Sequence, residues 1–268
     1  MVRISLTFLF FYVLLCANVF GQDDDLRKAS QLIIVSTSSW TSTKGTLELY
    51  SKSDGKWVRS GKAVQVVLGR GGLGWGLGLH KPPQSGPQKN EGDGRSPAGI
   101  FSLGPAFGYA LLPPAGCRLS YKSITSRDYF VDDPESEQYN TWVRIPDSLP
   151  NDPKRHWRTA ETMLSGDSLY EFGLVVRHNM SPVLKAKGSA IFLHLCDTRK
   201  TPTAGCTAMA RADLLMILDW LDPMKNPLIL QAPIAQIPFL KSQLGWRAWK
   251  SDGQFDKSKS NDHIPNIE

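Results

Sequence analysis

The sequence predicts a mostly β protein with a few helices, an α+β fold. The chain has 268 residues, of which 23 are Gly and 18 are Pro, and this composition is typical of strands joined by turns rather than of a helical bundle. Several short segments alternate apolar and polar residues, the period of a half-buried strand. Apolar residues make up 41% of the chain, which is ample for the core of one sizeable domain.

The individual elements follow from local patterns. Asp54-Gly55 lies between two alternating segments and is a hairpin turn signal. Residues 157–164 form a short helix candidate, and the apolar residues after Cys206 recur at helical spacing until Pro223. One or two closing strands are expected within residues 227–240. The other predicted strands cover residues 31–37, 45–50, 56–58, 63–68, 99–104, 172–179 and 188–196.

The N-terminus has the pattern of a secretory signal peptide. A short positive start is followed by an apolar run that is short for a membrane span, with small or modest residues before Gln22. We therefore expect cleavage near Gly21, a secreted or periplasmic protein, and contact with the membrane through the signal peptide alone. The remaining organisation is a flexible segment over 22–30, a folded domain over 31–240 and a polar tail over 241–268.

The distribution of charged residues argues against nucleic acid as a partner. The formal net charge is +6, and the basic residues are scattered rather than clustered in a block interleaved with aromatic residues. Nucleic-acid binding is therefore not expected. A mild positive excess fits an anionic polymer or surface, although this signal is weak.

The chemistry is expected within residues 188–210. In the strand predicted there, His194 and Cys196 share one face. Cys206 follows Gly205 directly before a segment of helical period, where backbone N–H groups and a helix N-terminus would stabilise a thiolate. A histidine on a neighbouring strand could serve as its base. The alternative is that His194 is a core histidine and Cys206 a small buried apolar residue.

The cysteine count leaves the redox state open. Loss of Cys16 with the signal peptide leaves Cys117, Cys196 and Cys206, an odd number for an exported protein. A Cys117–Cys196 disulfide would leave Cys206 as a thiol, whereas a disulfide at Cys206 would exclude it as a nucleophile. A further hypothesis is a zinc site formed by His194, Cys196 and Cys206. His178 would join this site if the strands over 172–179 and 188–196 pair and bring it near His194.

Other motifs favour turns over binding sites. The glycine-rich residues 69–76 are followed by no Lys-Ser/Thr and no helical pattern, so they are interpreted as a loop beside a cleft rather than a phosphate-binding loop. Residues 88–98 have too few oxygen ligands for a calcium loop. The Asp132-Asp133 pair before Pro134 is interpreted as a capped turn rather than an acid/base pair.

Taken together, these motifs resemble the L,D-transpeptidase (YkuD-type) catalytic domain of bacterial cell-wall enzymes. The resemblance rests on Gly-Ser-Ala-Ile-Phe-Leu-His at 188–194 and Pro-Thr-Ala-Gly-Cys at 202–206, with further likeness at residues 89–101, 131–134 and 139–140. Two positions depart from the family pattern: the histidine usually found two residues before the cysteine is Ala204, and the arginine often found two residues after it is Ala208.

The resemblance implies a YkuD-like β-sandwich catalytic domain that acts on peptidoglycan stem peptides. It implies Cys206 as the nucleophile, His194 as the base, and Gly205 at the oxyanion position. Thr203, Ser189 and Asn179 are expected to help position the substrate or oxyanion. No metal or organic cofactor is implied. The alternatives are an L,D-carboxypeptidase-like hydrolase of the same fold and a non-catalytic wall-binding module with Cys206 in a disulfide.

Overall fold

A computed structural model describes residues 25–81, 83, 85–196 and 201–246. The predicted signal peptide and most of the predicted C-terminal tail lie outside these residues. The strands are β1 Gln31–Thr37, β2 Lys44–Ser53, β3 Lys56–Val67, β4 Leu73–Trp75, β5 Ser96–Gly108, β6 Tyr121–Ser123, β7 Asp128–Val131, β8 Thr141–Arg144, β9 Glu161–Thr162, β10 Phe172–Val176, β11 Phe192–Leu195, β12 Thr207–Met209 and β13 Leu228–Pro233.

The main sheet closes on itself. In the part of the chain that the structure describes, it has ten strands in the order β10-β11-β12-β3-β2-β1-β13-β5-β4, with β6 beside β5, and β10 also pairs with β5. The β1–β13 and β11–β12 pairs are parallel, whereas the β2–β3 hairpin is antiparallel. Strand β5 is long enough to pair with both β10 and β13, and these pairings close the sheet.

A second, smaller sheet forms one wall of the site. It has the strand order β8-β7-β9. The carboxylate of Asp128 is fully buried in this sheet and pairs with Arg144 Nη2 at 2.7 Å, and it also accepts from Trp142 Nε1 at 2.8 Å. A buried carboxylate requires such partners, so these contacts hold the three strands together.

The helices are few and short, in agreement with the predicted fold class. Helix α1 spans Arg211–Trp220 and α2 spans Ile237–Gln243; 3₁₀ turns cover Pro153–Arg155, Pro223–Lys225 and Ile234–Gln236. Helix α1 buries Leu214, Ile217 and Leu218, so the apolar residues at helical spacing after Cys206 form a helix that packs on the core. The β2–β3 turn is also confirmed, since Asp54 and Gly55 both have positive φ values, +49° and +74°, as a type I′ hairpin turn requires.

Several elements differ from the sequence-based prediction. Residues 157–164 contain the short strand β9 instead of a helix, because Glu161 and Thr162 pair with β7. The segment 227–240 holds one strand, β13, as expected, but it also holds the start of α2. Leu26 and Ala29 are buried in the core, so the segment predicted as flexible is anchored from Leu26 onward. At the other end, Trp246 stacks on Trp57 with ring centroids 5.6 Å apart.

Candidate active site

A cavity with a volume of about 520 Å³ is lined by both predicted catalytic residues, Cys206 and His194. Its walls come from β11 and the segment that leads into it, the turn before β12, the loop between β3 and β4, the loop before β5, the segment before β10, and the small sheet. The residues that supply polar or reactive groups are Arg70, Lys89, Glu91, Asp132, Glu161, Tyr170, Ser189, His194, Cys196, Thr201, Thr203 and Cys206.

Cys206 lies immediately before β12, and its thiol contacts the neighbouring chain segment. The Sγ donates to the carbonyl oxygen of Ala190 at 3.3 Å and accepts from the backbone N–H of Phe192 at 3.3 Å. The N–H contact favours a negative charge on sulfur. The expected helix N-terminus is not adjacent to this thiol, because β12 separates Cys206 from α1, which begins at Arg211.

Thr203 organises the turn that carries Cys206. Its Oγ1 donates to the carbonyl oxygen of Cys206 at 2.6 Å and accepts from the N–H of Gly205 at 3.1 Å. Ser96 Oγ donates to the same Cys206 carbonyl at 3.0 Å. These contacts fix the backbone on both sides of Cys206, so Thr203 acts on the turn itself. Its predicted contact with substrate stays a prediction.

Gly205 occupies a backbone conformation that side chains rarely adopt. Its φ is +156°, and an added Cβ would lie 3.1 Å from the carbonyl oxygen of Arg95. A glycine here therefore lets the turn approach the loop before β5. Because the Gly205 N–H donates to Thr203, it is engaged within the turn in this structure. Its predicted oxyanion role stays a prediction.

His194 lies on β11, next to the short strand that follows Cys206. Strands β11 and β12 are parallel, with His194 opposite Ala208. The Nδ1 of His194 is 2.7 Å from the carbonyl oxygen of Leu195, and a carbonyl oxygen accepts only. Nδ1 must therefore carry the proton, and in the neutral ring Nε2 has the free lone pair.

Burial keeps both catalytic candidates neutral at rest. Desolvation lowers the pKa of His194 to about 4, although the contact with Leu195 opposes this shift. Desolvation raises the pKa of the Cys206 thiol well above its usual range; the charge of Glu161 raises it further, and the Phe192 N–H and Lys89 lower it. The pair is therefore suited to general-base activation of a neutral thiol rather than to a resting ion pair.

An acidic wall, formed by Glu91, Asp132 and Glu161, also lines the cavity. Glu91 Oε2 accepts from Ser189 Oγ at 2.7 Å and from the hydroxyl of Tyr139. Desolvation raises the pKa of Glu161 to about 7, and the nearby Asp132 and Glu91 charges add to this shift. Desolvation also raises the pKa of Asp132.

Ser189 and Asn179 are the remaining predicted site residues. Ser189 lines the cavity, as expected of a positioning residue. Asn179 is not among the cavity-lining residues, and its side chain binds backbone instead: Nδ2 donates to the carbonyl of Gly188 at 3.0 Å, and Oδ1 accepts from Leu184 N–H at 2.8 Å. Asn179 thus holds the 179–188 loop.

His178 does not approach His194. The predicted pairing of their strands is present, but its register places Gly173 opposite His194. His178 Nδ1 instead accepts from Leu77 N–H at 3.1 Å, and Nε2 lies 3.0 Å from the carbonyl oxygen of Lys187. Among the described residues, no group of three or more His, Cys, Asp or Glu side chains is arranged to hold a metal ion.

The cysteines and the paired aspartates also have defined environments. Within the described residues no cysteine forms a disulfide, so Cys206 is available as a thiol. Asp133 takes the turn role predicted for the pair, since its carboxylate accepts from Glu135 N–H at 3.0 Å and Arg158 N–H at 3.0 Å. No helix within the described ranges is long and apolar enough to cross a membrane.

The comparisons with known proteins decide the family. Residues 31–230 match the YkuD L,D-transpeptidase catalytic domain. The chain belongs to this family. The match begins with β1 and ends within β13, and Cys206 and His194 lie at the positions where the sequence carried the family resemblance. No curated protein matches the chain.

Two solved structures are similar in part. Both are of the helical cell shape determining protein Pgp2 from Campylobacter jejuni, one of them a point mutant, at 12% identity and with TM-scores of 0.37 and 0.35. The similarity covers 80% of this chain, and 55% and 54% of the two Pgp2 chains. The present chain therefore spans about half the length of these structures.

The two departures from the YkuD pattern both lie in the cavity wall. Ala204 and Ala208 line it, and Ala208 is the residue opposite His194 in the β11–β12 register. Where the family pattern has a histidine and an arginine, this member has methyl groups.

Sequence reasoning overlooked most of the acidic wall. Glu91 and Asp132 fall within segments that carried the YkuD resemblance, so that signal could have singled them out. Glu161 was assigned to a helix, and Tyr170 had no motif around it. Glu161 reaches the cavity through β9 of the small sheet, and Tyr170 reaches it from the segment before β10 of the main sheet.

Proposed function

We propose that this YkuD protein is an L,D-transpeptidase that acts on peptidoglycan stem peptides through a thioester on Cys206. One observation carries the proposal: Cys206 and His194 line the same cavity, with the imidazole held in the tautomer that leaves Nε2 able to accept a proton. The family membership supports the substrate class, since YkuD is an L,D-transpeptidase catalytic domain.

The chemistry divides into two steps. In the first, His194 Nε2 takes the thiol proton and the Cys206 sulfur attacks the carbonyl carbon between an L- and a D-centre. The peptide C–N bond breaks, the imidazolium gives its proton to the leaving amine, and a D-amino acid departs. In the second, an amine of another stem peptide attacks the thioester, the C–S bond breaks, and a new amide and the thiol form.

The cavity walls suit an acyl-enzyme. The Cys206 side chain is buried, and its thiol contacts backbone groups of Ala190 and Phe192. Removal of water strengthens the electrostatic contacts that stabilise a developing oxyanion. Water as the acceptor would give hydrolysis on the same thioester, which is the L,D-carboxypeptidase-like alternative.

Transfer and hydrolysis differ in their products. Purified protein is incubated with a disaccharide tetrapeptide, and the products are resolved by liquid chromatography and mass spectrometry. We expect release of the terminal D-amino acid together with cross-linked dimers, and no turnover by Cys206→Ala. A tripeptide product without dimers would assign the hydrolase activity instead, and intact tetrapeptide would contradict both.

Export is part of the same proposal, because peptidoglycan lies outside the cytoplasm. The predicted signal peptide over residues 1–21 falls outside the described residues. The mass of the N-terminal peptide of protein recovered from the cell envelope tests it. We expect a start near Gln22, and a mature protein that retains Met1 would contradict cleavage.

A further inference from the structure

A buried hydrogen bond joins the two sheets at the cavity. The hydroxyl of Tyr170 donates to Glu161 Oε1. Tyr170 lies just before β10 of the main sheet, and Glu161 begins β9 of the small sheet. Both side chains line the cavity with Cys206 and His194, and the mechanism proposed above uses neither of them.

The ring of Tyr170 also contacts the proposed base. It meets the His194 ring edge to face, with centroids 5.3 Å apart and planes at 86°, and it meets Phe192 in the same way at 5.6 Å. Tyr170 is 7% exposed, so its orientation is restricted by packing. The His194 ring is therefore held by two contacts: its Nδ1 with the carbonyl oxygen of Leu195, and its ring with the ring of Tyr170.

Glu161 and Cys206 interact through charge. An ionised Glu161 disfavours a thiolate at Cys206 and raises the pKa of the thiol. Glu161 itself is faced by the Tyr170 hydroxyl, which favours the carboxylate, and by Asp132 and Glu91, which oppose it. Since its pKa is about 7, the charge of Glu161 develops near neutral pH.

We propose that Tyr170 and Glu161 are a positioning pair for the catalytic residues: Tyr170 fixes the His194 ring, and the charge of Glu161 controls how readily Cys206 loses its proton. This inference rests on the proposed function for the roles of Cys206 and His194. Two further charges act on the same groups. Lys89 faces Cys206 and favours its thiolate, and Asp167 faces His194 and Tyr170.

The first test is the pH dependence of Cys206 alkylation by iodoacetamide. Trypsin cleavage after Lys200 and Arg211 isolates Cys206 from the other cysteines, so mass spectrometry reads its modification alone. Glu161→Gln keeps a hydrogen-bond acceptor for Tyr170 and removes the charge. We expect equal rates for the variant and the unmodified protein at about pH 6 and alkylation about tenfold faster in the variant at about pH 8.5.

The second test separates the hydroxyl of Tyr170 from its ring. Tyr170→Phe keeps the ring contact with His194 and removes the donor that favours ionised Glu161. The Glu161 charge should then develop at a higher pH, so we expect Cys206 alkylation to be faster than in the unmodified protein at about pH 7.5 and equal to it at about pH 6. Tyr170→Leu removes the ring, and we expect it to slow acylation by a carbapenem about tenfold or more while iodoacetamide alkylation continues.

Matched controls lie away from the cavity. Glu137 is 95% exposed and pairs with Lys185, so Glu137→Gln should leave the alkylation profile unchanged. Tyr121→Phe removes a hydroxyl that donates to the carbonyl of Ala110 and should do the same. A rate ratio for Glu161→Gln that does not change with pH, accompanied by a lower melting temperature, would assign the pair a purely structural role and overturn the proposal.

The proposed function and this inference fail in different ways. A protein that is not acylated at Cys206 and forms no product contradicts the proposed function whatever the alkylation profile. An active enzyme in which Glu161→Gln and Tyr170→Phe leave the Cys206 profile unchanged contradicts only the positioning pair. If Glu161→Gln does not fold, the pH profile of Cys206 alkylation in Tyr170→Phe alone tests the positioning pair.

Discussion

The imidazole Nδ1 of His194 lies 2.7 Å from the carbonyl oxygen of Leu195, the next residue in the chain. This short local contact needs no acidic partner. It fixes the tautomer of the ring through backbone alone, and the conformation of β11 therefore determines which nitrogen can act as a base.

The first prediction concerns His194 itself. His194→Gln retains a polar side chain but cannot accept the thiol proton, so we expect Cys206 acylation to be slower by a factor of about 10² to 10⁴. The measurement is the rate of adduct formation with a carbapenem by intact mass. His156 is exposed, and His156→Gln is the matched control. Equal rates for the two variants would contradict the assignment of His194 as base.

The second prediction concerns the Thr203 hydroxyl, which bonds to the backbone on both sides of Cys206. Thr203→Val keeps the shape and leaves the Gly205 N–H without this acceptor. We expect a loss of about 1–3 kcal/mol in the free energy of unfolding and slower acylation of Cys206. Thr203→Ser restores the hydroxyl and should recover most of both. A Val variant as stable and as reactive as the Ser variant would show that the turn does not depend on this side chain.

The third prediction is that folding stability falls on acidification. Desolvation lowers the pKa of His80, His178 and His194 to about 4, from the ordinary 6.5. Between these values the unfolded chain binds protons that the folded chain does not, so stability is fully present above about pH 6.5 and decreases towards about pH 4. Each histidine contributes a slope of at most about 1.4 kcal/mol per pH unit.

Glu161 opposes this trend. Its pKa is raised to about 7 from 4.5, so the folded chain takes up that proton first and gains stability as the pH falls through this range. The combined effect of the three histidines on the free energy of unfolding should exceed the opposite effect of this single carboxyl. Urea unfolding at about pH 7 and about pH 5 measures the difference, and His178→Gln should reduce it. A free energy of unfolding that increases from pH 7 to pH 5 would contradict the prediction.

Local patterns were sufficient for most of the fold. The apolar run within residues 31–37 predicts β1, the Asp54-Gly55 pair predicts the β2–β3 hairpin, and the helical spacing after Cys206 predicts α1. These predictions are correct because each depends only on residues that are close together in the sequence. Glu161 and Thr162 became a strand because β7 offers them hydrogen-bond partners, which no local pattern around residues 157–164 reveals.

The site was predictable only in part for the same reason. Cys206 and His194 are close in the sequence and were found by their motif. The prediction of a helix N-terminus behind Cys206 was wrong, since a three-residue strand, β12, comes first. Glu161 and Tyr170 come from separate sheets, and their contact depends on how those sheets pack. Charge and tautomer at the site depend on burial, which composition and spacing do not determine.

The central claim is that Cys206 is the nucleophile. Its most direct test is the mass of the protein after incubation with a carbapenem, followed by tryptic mapping of residues 201–211. We predict one adduct, located on Cys206, in the unmodified protein and none in Cys206→Ala. Equal labelling of the two proteins, or an adduct on Cys196 instead, would contradict the account.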